Sequence, residues 1–168
     1  TNDYVNISNP PASSMPIEAM TIEAWAYLDS YSAWRMIATK NTSFYLEISD
    51  GTIVFYSAGT VPRSYSATNA ITEIGKWYHI AATFGPEGSV NKKRIYLNGK
   101  EIAVSSNLSG NIVPNTFPLF IGAYGTATPT CCYFDGKIDE VRIYKRKLTA
   151  FEIQKHYAEG AKKRGIAA

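Results

Sequence analysis

The sequence holds two cysteines in 168 residues, and they are neighbours, Cys131-Cys132. That excludes a miniature fold stapled by several disulfides. It also leaves no zinc centre, because the two histidines, His79 and His156, are far apart and no further cysteine completes four ligands. Long apolar runs are missing as well. No stretch approaches the ~20 residues that a helix needs to cross a bilayer, and nothing here reads as a signal peptide. Charge of one sign is scarce: the formal net charge is +3. The positives gather at Lys92-Lys93-Arg94, Lys145-Arg146-Lys147 and Lys162-Lys163-Arg164. Short clusters of this kind are solvated turns or tails, so nucleic acid is not an expected partner. No Ser/His/Asp pattern or glycine-rich phosphate loop occurs. A retaining glycosidase needs two carboxyl groups about 5–5.5 Å apart on one face. Asp139 and Glu140 are adjacent and point to opposite faces of a strand, and Glu23 stands alone on its own. No enzyme is expected.

What the chain does have is apolar and aromatic content, 45% and 13%. At this length one domain can bury close to 70% of its unfolded surface. Trp77 to Phe84 (WYHIAATF) is aromatic and β-branched, and free of glycine and proline, so it reads as a strand. Tyr78, Ile80, Ala82 and Phe84 share one face, and Trp77, His79, Ala81 and Thr83 the other. Neither row is strongly polar, which predicts a mid-sheet strand covered on both sides. Ile95-Tyr96-Leu97 then runs into Asn98-Gly99, a hairpin turn in which both residues tolerate positive φ. Thr21 to Leu28 alternates Ile22, Ala24, Ala26 and Leu28 against Thr21, Glu23, Trp25 and Tyr27. Further strands are expected over 3–8, 36–39, 43–49, 52–57, 119–122 and 135–144, with Asp50-Gly51 as a second hairpin turn. Residues 58–69, 105–118 and 123–130 read as loops. Thr149 and Glu152 make a capping box for a helix over about 150–159, with Phe151, Ile153 and Tyr157 inward and Gly160 as its stop. Many short strands with one terminal helix mean an all-β sandwich or barrel.

Four stretches resemble a known family. "NDYVNI", "MTIEAWAYL", "GKWYHIAATF … KRIYLNGKEI" and "YFDGKIDEVRIYKRKLTAFEIQKHY" are similar, in order, to the signature strands of laminin-G-like domains. These are concanavalin A-like jelly rolls, and the likeness covers about residues 3 to 158. It implies a two-sheet antiparallel jelly-roll β-sandwich over residues 1–160 with a basic tail at 161–168. It also implies a module of a larger secreted or cell-surface protein, non-catalytic, binding carbohydrate or serving adhesion. The competing reading is a structural or protein-interaction domain of a surface fibre or pilin-like protein. Family enzymes of the laminarinase type carry E-x-D-x-x-E or E-x-D-x-E on one strand, and no such spacing occurs here.

Candidate site residues follow from position. Tyr31, Trp34, Tyr65 and Tyr124 fall in or beside loops, where flat aromatic faces can meet sugar C–H groups, and Arg63 is their polar partner. Aromatic anchoring of loops is the plain alternative. Asp139 is placed on the face of Val141 and Ile143, where a carboxylate needs donors or a cation. The resemblance implies a structural Ca²⁺ where the first and last strands meet, with Asp3 and Asp139 as ligands. Cys131 and Cys132 have Cα atoms about 3.8 Å apart, short for a disulfide. A vicinal bridge and two unpaired thiols both remain open.

Overall fold

The computed structural model describes residues 3–8, 10–30 and 32–167. Two antiparallel sheets pack face to face. Numbering strands in chain order, the first sheet runs β1 (Val5–Ile7), β10 (Leu119–Ile121), β3 (Trp34–Lys40), β4 (Phe44–Ser49), β5 (Thr52–Ser57) and β6 (Ser64–Ala67). The second runs β13 (Gly136–Tyr144), β2 (Met20–Leu28), β7 (Trp77–Glu87), β8 (Val90–Leu97) and β9 (Lys100–Val104). A small hairpin of β11 (Tyr124–Gly125) and β12 (Pro129–Cys131) stands apart from both. This is the jelly-roll sandwich expected.

The alternating rows explain the packing. Ile22, Ala24, Ala26 and Leu28 of β2 and Tyr78, Ile80, Ala82 and Phe84 of β7 face inward. They meet Phe44, Leu46 and Ile48 of β4 and Ile53 and Phe55 of β5 in one core. Burying each large side chain contributes about 1.5–3 kcal/mol. Both hairpin turns take the positive-φ form, with φ 48° and 75° at Asp50 and Gly51 and 51° and 77° at Asn98 and Gly99.

The outer face of the five-stranded sheet is covered by α1 (Ala150–Lys163), capped by Thr149 and Glu152 as expected. Ile153 is fully buried with Ala81, Tyr96 and Leu148 beneath the helix. Phe151, however, is 74% exposed. It precedes the buried stripe by two positions, and a helix turns about 200° over two residues.

Gly160 does not stop the helix. It lies inside it, against Trp25, where an added Cβ would sit 2.2 Å from the indole Nε1. Nor does a free tail begin at residue 161. Ala161 is buried, and the Arg164 guanidinium stacks 4.4 Å and 4.8 Å from the Trp25 and Trp77 rings. Two stretches read as loops also contain strands, β6 within 58–69 and, within 123–130, all of the β11–β12 hairpin but its last residue, Cys131. Both are too short to show a period of two.

Candidate binding site

The outer face of the six-stranded sheet is built by register. Trp34 pairs with Ser49 and Met36 with Glu47 across β3 and β4. Tyr45 and Glu47 pair with Tyr56 and Val54 across β4 and β5. Phe44, Leu46 and Ile48 point into the core, so Tyr45, Glu47 and Ser49 must point out. The Tyr45 and Tyr56 rings stack with centroids 4.6 Å apart and 3° between planes.

The β11–β12 hairpin walls this face at one side. Tyr124 pairs with Cys131, and Cys131 and Cys132 are bridged to each other. The Cys132 carbonyl accepts the Met36 amide at 3.0 Å, while Asn41 Nδ2 donates to Gly125 O at 3.1 Å. These bonds clip the hairpin to both ends of β3. The result is a cavity of about 170 Å³ lined by Trp34, Met36, Tyr45, Glu47, Tyr124, Cys131 and Cys132. Trp34 also lines a second recess with Ala33, Arg35, Asp50 and Cys132. Trp34 is 61% exposed.

Glu47 is the unusual group in this cavity. It is 7% exposed and has no hydrogen-bond or ion-pair partner among the described residues. Burial, with nothing to offset it, pushes its carboxyl up to about 7. Burial first, and then the charge of Glu47, push the neighbouring Tyr45 phenol up to about 12. A carboxylate held this deep without protein donors is costly to keep charged, and donors can reach it only from the cavity side.

Of the residues chosen from the sequence, Trp34 and Tyr124 come together here. Tyr65 does not join them. It pairs with Phe55 on the core face of β6, and its hydroxyl donates to Val104 O at 2.6 Å, tying the two sheets. Arg63 lies three strands across and about five residues along from Trp34, on the order of 20 Å at standard sheet spacings. Its carbonyl, not its guanidinium, is used, accepting from Ser57 N and Lys93 Nζ. Tyr31 lies outside the described residues. Met36, Tyr45 and Glu47 were not read as site residues. Their signal was the row Tyr45-x-Glu47-x-Ser49 alternating with an apolar row, which marks a glutamate on an open sheet face.

Asp139 faces the other way from the expected direction. Glu140 has φ 49° and the β13–β2 register shifts between Asp139 and Arg142, so a bulge inserts one residue. Val141 and Ile143 face the core, while Asp139 pairs with Trp25 on the helix side and is ion-paired with Arg164. Asp3 lies elsewhere, in a cavity of about 360 Å³ with Asp29 and Asp135 between the first and last strands, and Asp139 does not line it. No three His, Cys, Asp or Glu among the described residues are grouped to hold a metal ion. The pair Asp3 and Asp139 thus does not fit a Ca²⁺ site.

A second ionisable cluster is sealed under α1. Glu23 is fully buried and takes His156 Nδ1 at 2.9 Å, Arg142 Nη1 at 3.2 Å and His79 Nε2 at 3.5 Å. Burial would raise its carboxyl, but the adjacent imidazoles of His79, then His156, outweigh this and hold it below the usual range. The cluster joins the last strand and the helix to the sheet. With both Glu23 and His79 at 0% exposure it offers a substrate no entry.

Comparison with known proteins agrees with the architecture. The family profile of the concanavalin A-like lectin/glucanases superfamily matches residues 1–154. A search of curated proteins gave no match. Among solved structures, a protein of Bacteroides ovatus ATCC 8483, provisionally assigned as carbohydrate binding, superposes with a TM-score of 0.72 at 23% identity over 90% of this chain. The chain spans 44% of that protein. The CBM40 of the Ruminococcus gnavus IT-sialidase, bound to α2,3-sialyllactose, gives 0.65 at 16% identity, covering 92% of this chain and 96% of its own. Domain 4 of the Geobacillus stearothermophilus arabinanase AbnA, with arabinotriose, gives 0.65 at 18%, covering 90% and 71%. At these identities the likeness is one of fold.

Proposed function

The chain belongs to the concanavalin A-like lectin/glucanases superfamily, and on that premise we propose that it is a non-catalytic module that binds glycans through the Trp34–Glu47–Tyr124 cavity. The observation that carries this is the exposed Trp34 indole beside an enclosed, unpartnered carboxylate on an open sheet face. The indole offers a flat apolar surface to a sugar ring, and Glu47 accepts from polar groups on the ring's edge. Among the described residues a single carboxylate lines the cavity, whereas glycoside hydrolysis needs two. Two structural neighbours hold sugars, which supports the ligand class. A place outside the cell, within a larger protein, suits such a module. No helix among the described residues is long and apolar enough to cross a membrane.

One aromatic–sugar contact is worth on the order of 1 kcal/mol, so an isolated module binds weakly and gains by multivalency. The test is a glycan array, followed by calorimetry on the best ligand, with wild type and Trp34→Ala. The variant should bind about fivefold more weakly or worse and melt at nearly the wild-type temperature, because Trp34 is largely exposed. Undiminished binding by Trp34→Ala moves the site elsewhere. No glycan bound by the wild type at millimolar concentration favours the structural or protein-interaction module instead.

A further inference from the structure

The enclosed carboxylate says more than that a sugar binds. Resting on the glycan-binding reading, we propose that Glu47 receives a primary ammonium group on the bound sugar, so that the ligand class is a glycan bearing a free amine rather than its N-acylated form. Two kinds of group could satisfy Glu47. Neutral hydroxyls supply donors but no counter-charge, so the carboxyl must take up a proton or stay uncompensated. An ammonium supplies up to three donors and the opposite charge together.

The surroundings favour the second. Among the described residues, no lysine, arginine or histidine lines the cavity. Arg35, the cation nearest in sequence to Trp34, donates to Tyr133 O at 3.2 Å and to Ser30 Oγ at 3.1 Å, so it is engaged elsewhere. Trp34, Tyr45 and Tyr124 meanwhile line the same cavity as the carboxylate, and aromatic rings attract a cation across their open faces. The volume agrees too. About 170 Å³ is below the ~300–1,000 Å³ typical of drug-sized ligands, which suits one sugar unit without an acyl arm.

The probes are a short glucosamine oligosaccharide and its fully N-acetylated counterpart, titrated into the protein at pH 7. The free amine should bind about tenfold more tightly, a modest step for a desolvated cation beside aromatic rings. In Glu47→Gln, which keeps shape and hydrogen bonding but removes charge, the two should bind within about twofold of each other. Circular dichroism confirms that the variant is folded. Equal or tighter binding of the N-acetylated oligosaccharide by wild type overturns the amine assignment and leaves the glycan reading standing, as does a preference that survives Glu47→Gln. If neither oligosaccharide binds and a wider glycan panel also fails, the glycan reading falls with it. A lysine-rich peptide that binds more tightly than the amino sugar, and through Glu47, overturns the sugar as the source of the amine.

Discussion

Replacing Gly160 by alanine opposes two effects of known size. In the interior of a helix, Gly→Ala gains about 1 kcal/mol, because glycine loses more backbone freedom on folding. Gly160 lies three residues before the end of the helix Ala150–Lys163, so local propensity alone predicts stabilisation. The tertiary structure predicts the reverse. The new Cβ would lie 2.2 Å from Nε1, 2.6 Å from Cε2 and 2.7 Å from Cζ2 of Trp25. Trp25 is fully buried, with Tyr157 stacked at 5.7 Å and Arg164 over its ring at 4.4 Å, so the rigid indole has nowhere to go. Either the helix lifts or the indole moves, and overpacking of this kind costs about 1–3 kcal/mol or more. Taking ~3 kcal/mol less the ~1 kcal/mol of propensity leaves a net loss of about 2 kcal/mol. For a domain of this size that lowers Tm by roughly 4–8 °C. Urea unfolding followed by circular dichroism measures it, with Gln154→Ala, on an exposed position of the same helix, as control. A Gly160→Ala protein as stable as wild type or more so would refute the close approach of helix to indole.

Two further outcomes concern stability. The native Glu47 carboxyl titrates at about 7 against 4.5 for the ordinary group, so between these values the folded state holds a proton that the unfolded state has lost. Stability from this group therefore falls as pH rises through that window, by on the order of 3 kcal/mol when complete. Among the described residues, the titratable groups that line the cavity with it are the phenols of Tyr45 and Tyr124, neither of them a cation. Glu47→Gln should accordingly be the more stable protein at pH 8 and lose that advantage at pH 4.5, read from urea midpoints; a difference that does not vary with pH would count against the buried, unpartnered carboxylate. Thr149→Ala removes an Oγ1 that accepts the Glu152 amide at 3.2 Å, and should cost about 1 kcal/mol in the same assay. No loss at all would mean that the helix start is held by packing alone.

The alternation of side chains determined most of this architecture on its own. Rows such as Ile22-x-Ala24-x-Ala26-x-Leu28 can bury only one face, and Asn98-Gly99 and Asp50-Gly51 turn the chain tightly. These are local rules with a period of two, so they are legible without contacts. What followed from them survived: the two-sheet sandwich, the doubly covered β7, the capped helix. Tertiary structure decided what a single residue can overturn. One inserted residue at Glu140 reverses the direction of Asp139 and gives its carboxylate to Arg164, because every side chain beyond a bulge changes face. Pairing of β6 with β5 turns Tyr65 inward, although its sequence surroundings read as a loop. Gly160 looks like a helix stop until the indole of Trp25, 135 positions away in the chain, is packed against it. The cavity depends on long-range placement in the same way. Trp34 and Tyr124 were visible as aromatics beside loops, but the burial of Glu47 arises only when the β11–β12 hairpin is clipped beside β3 through Cys132 and Gly125. The residue types are written locally. The loss of water around a carboxylate is a property of everything packed around it, and no window of sequence contains that.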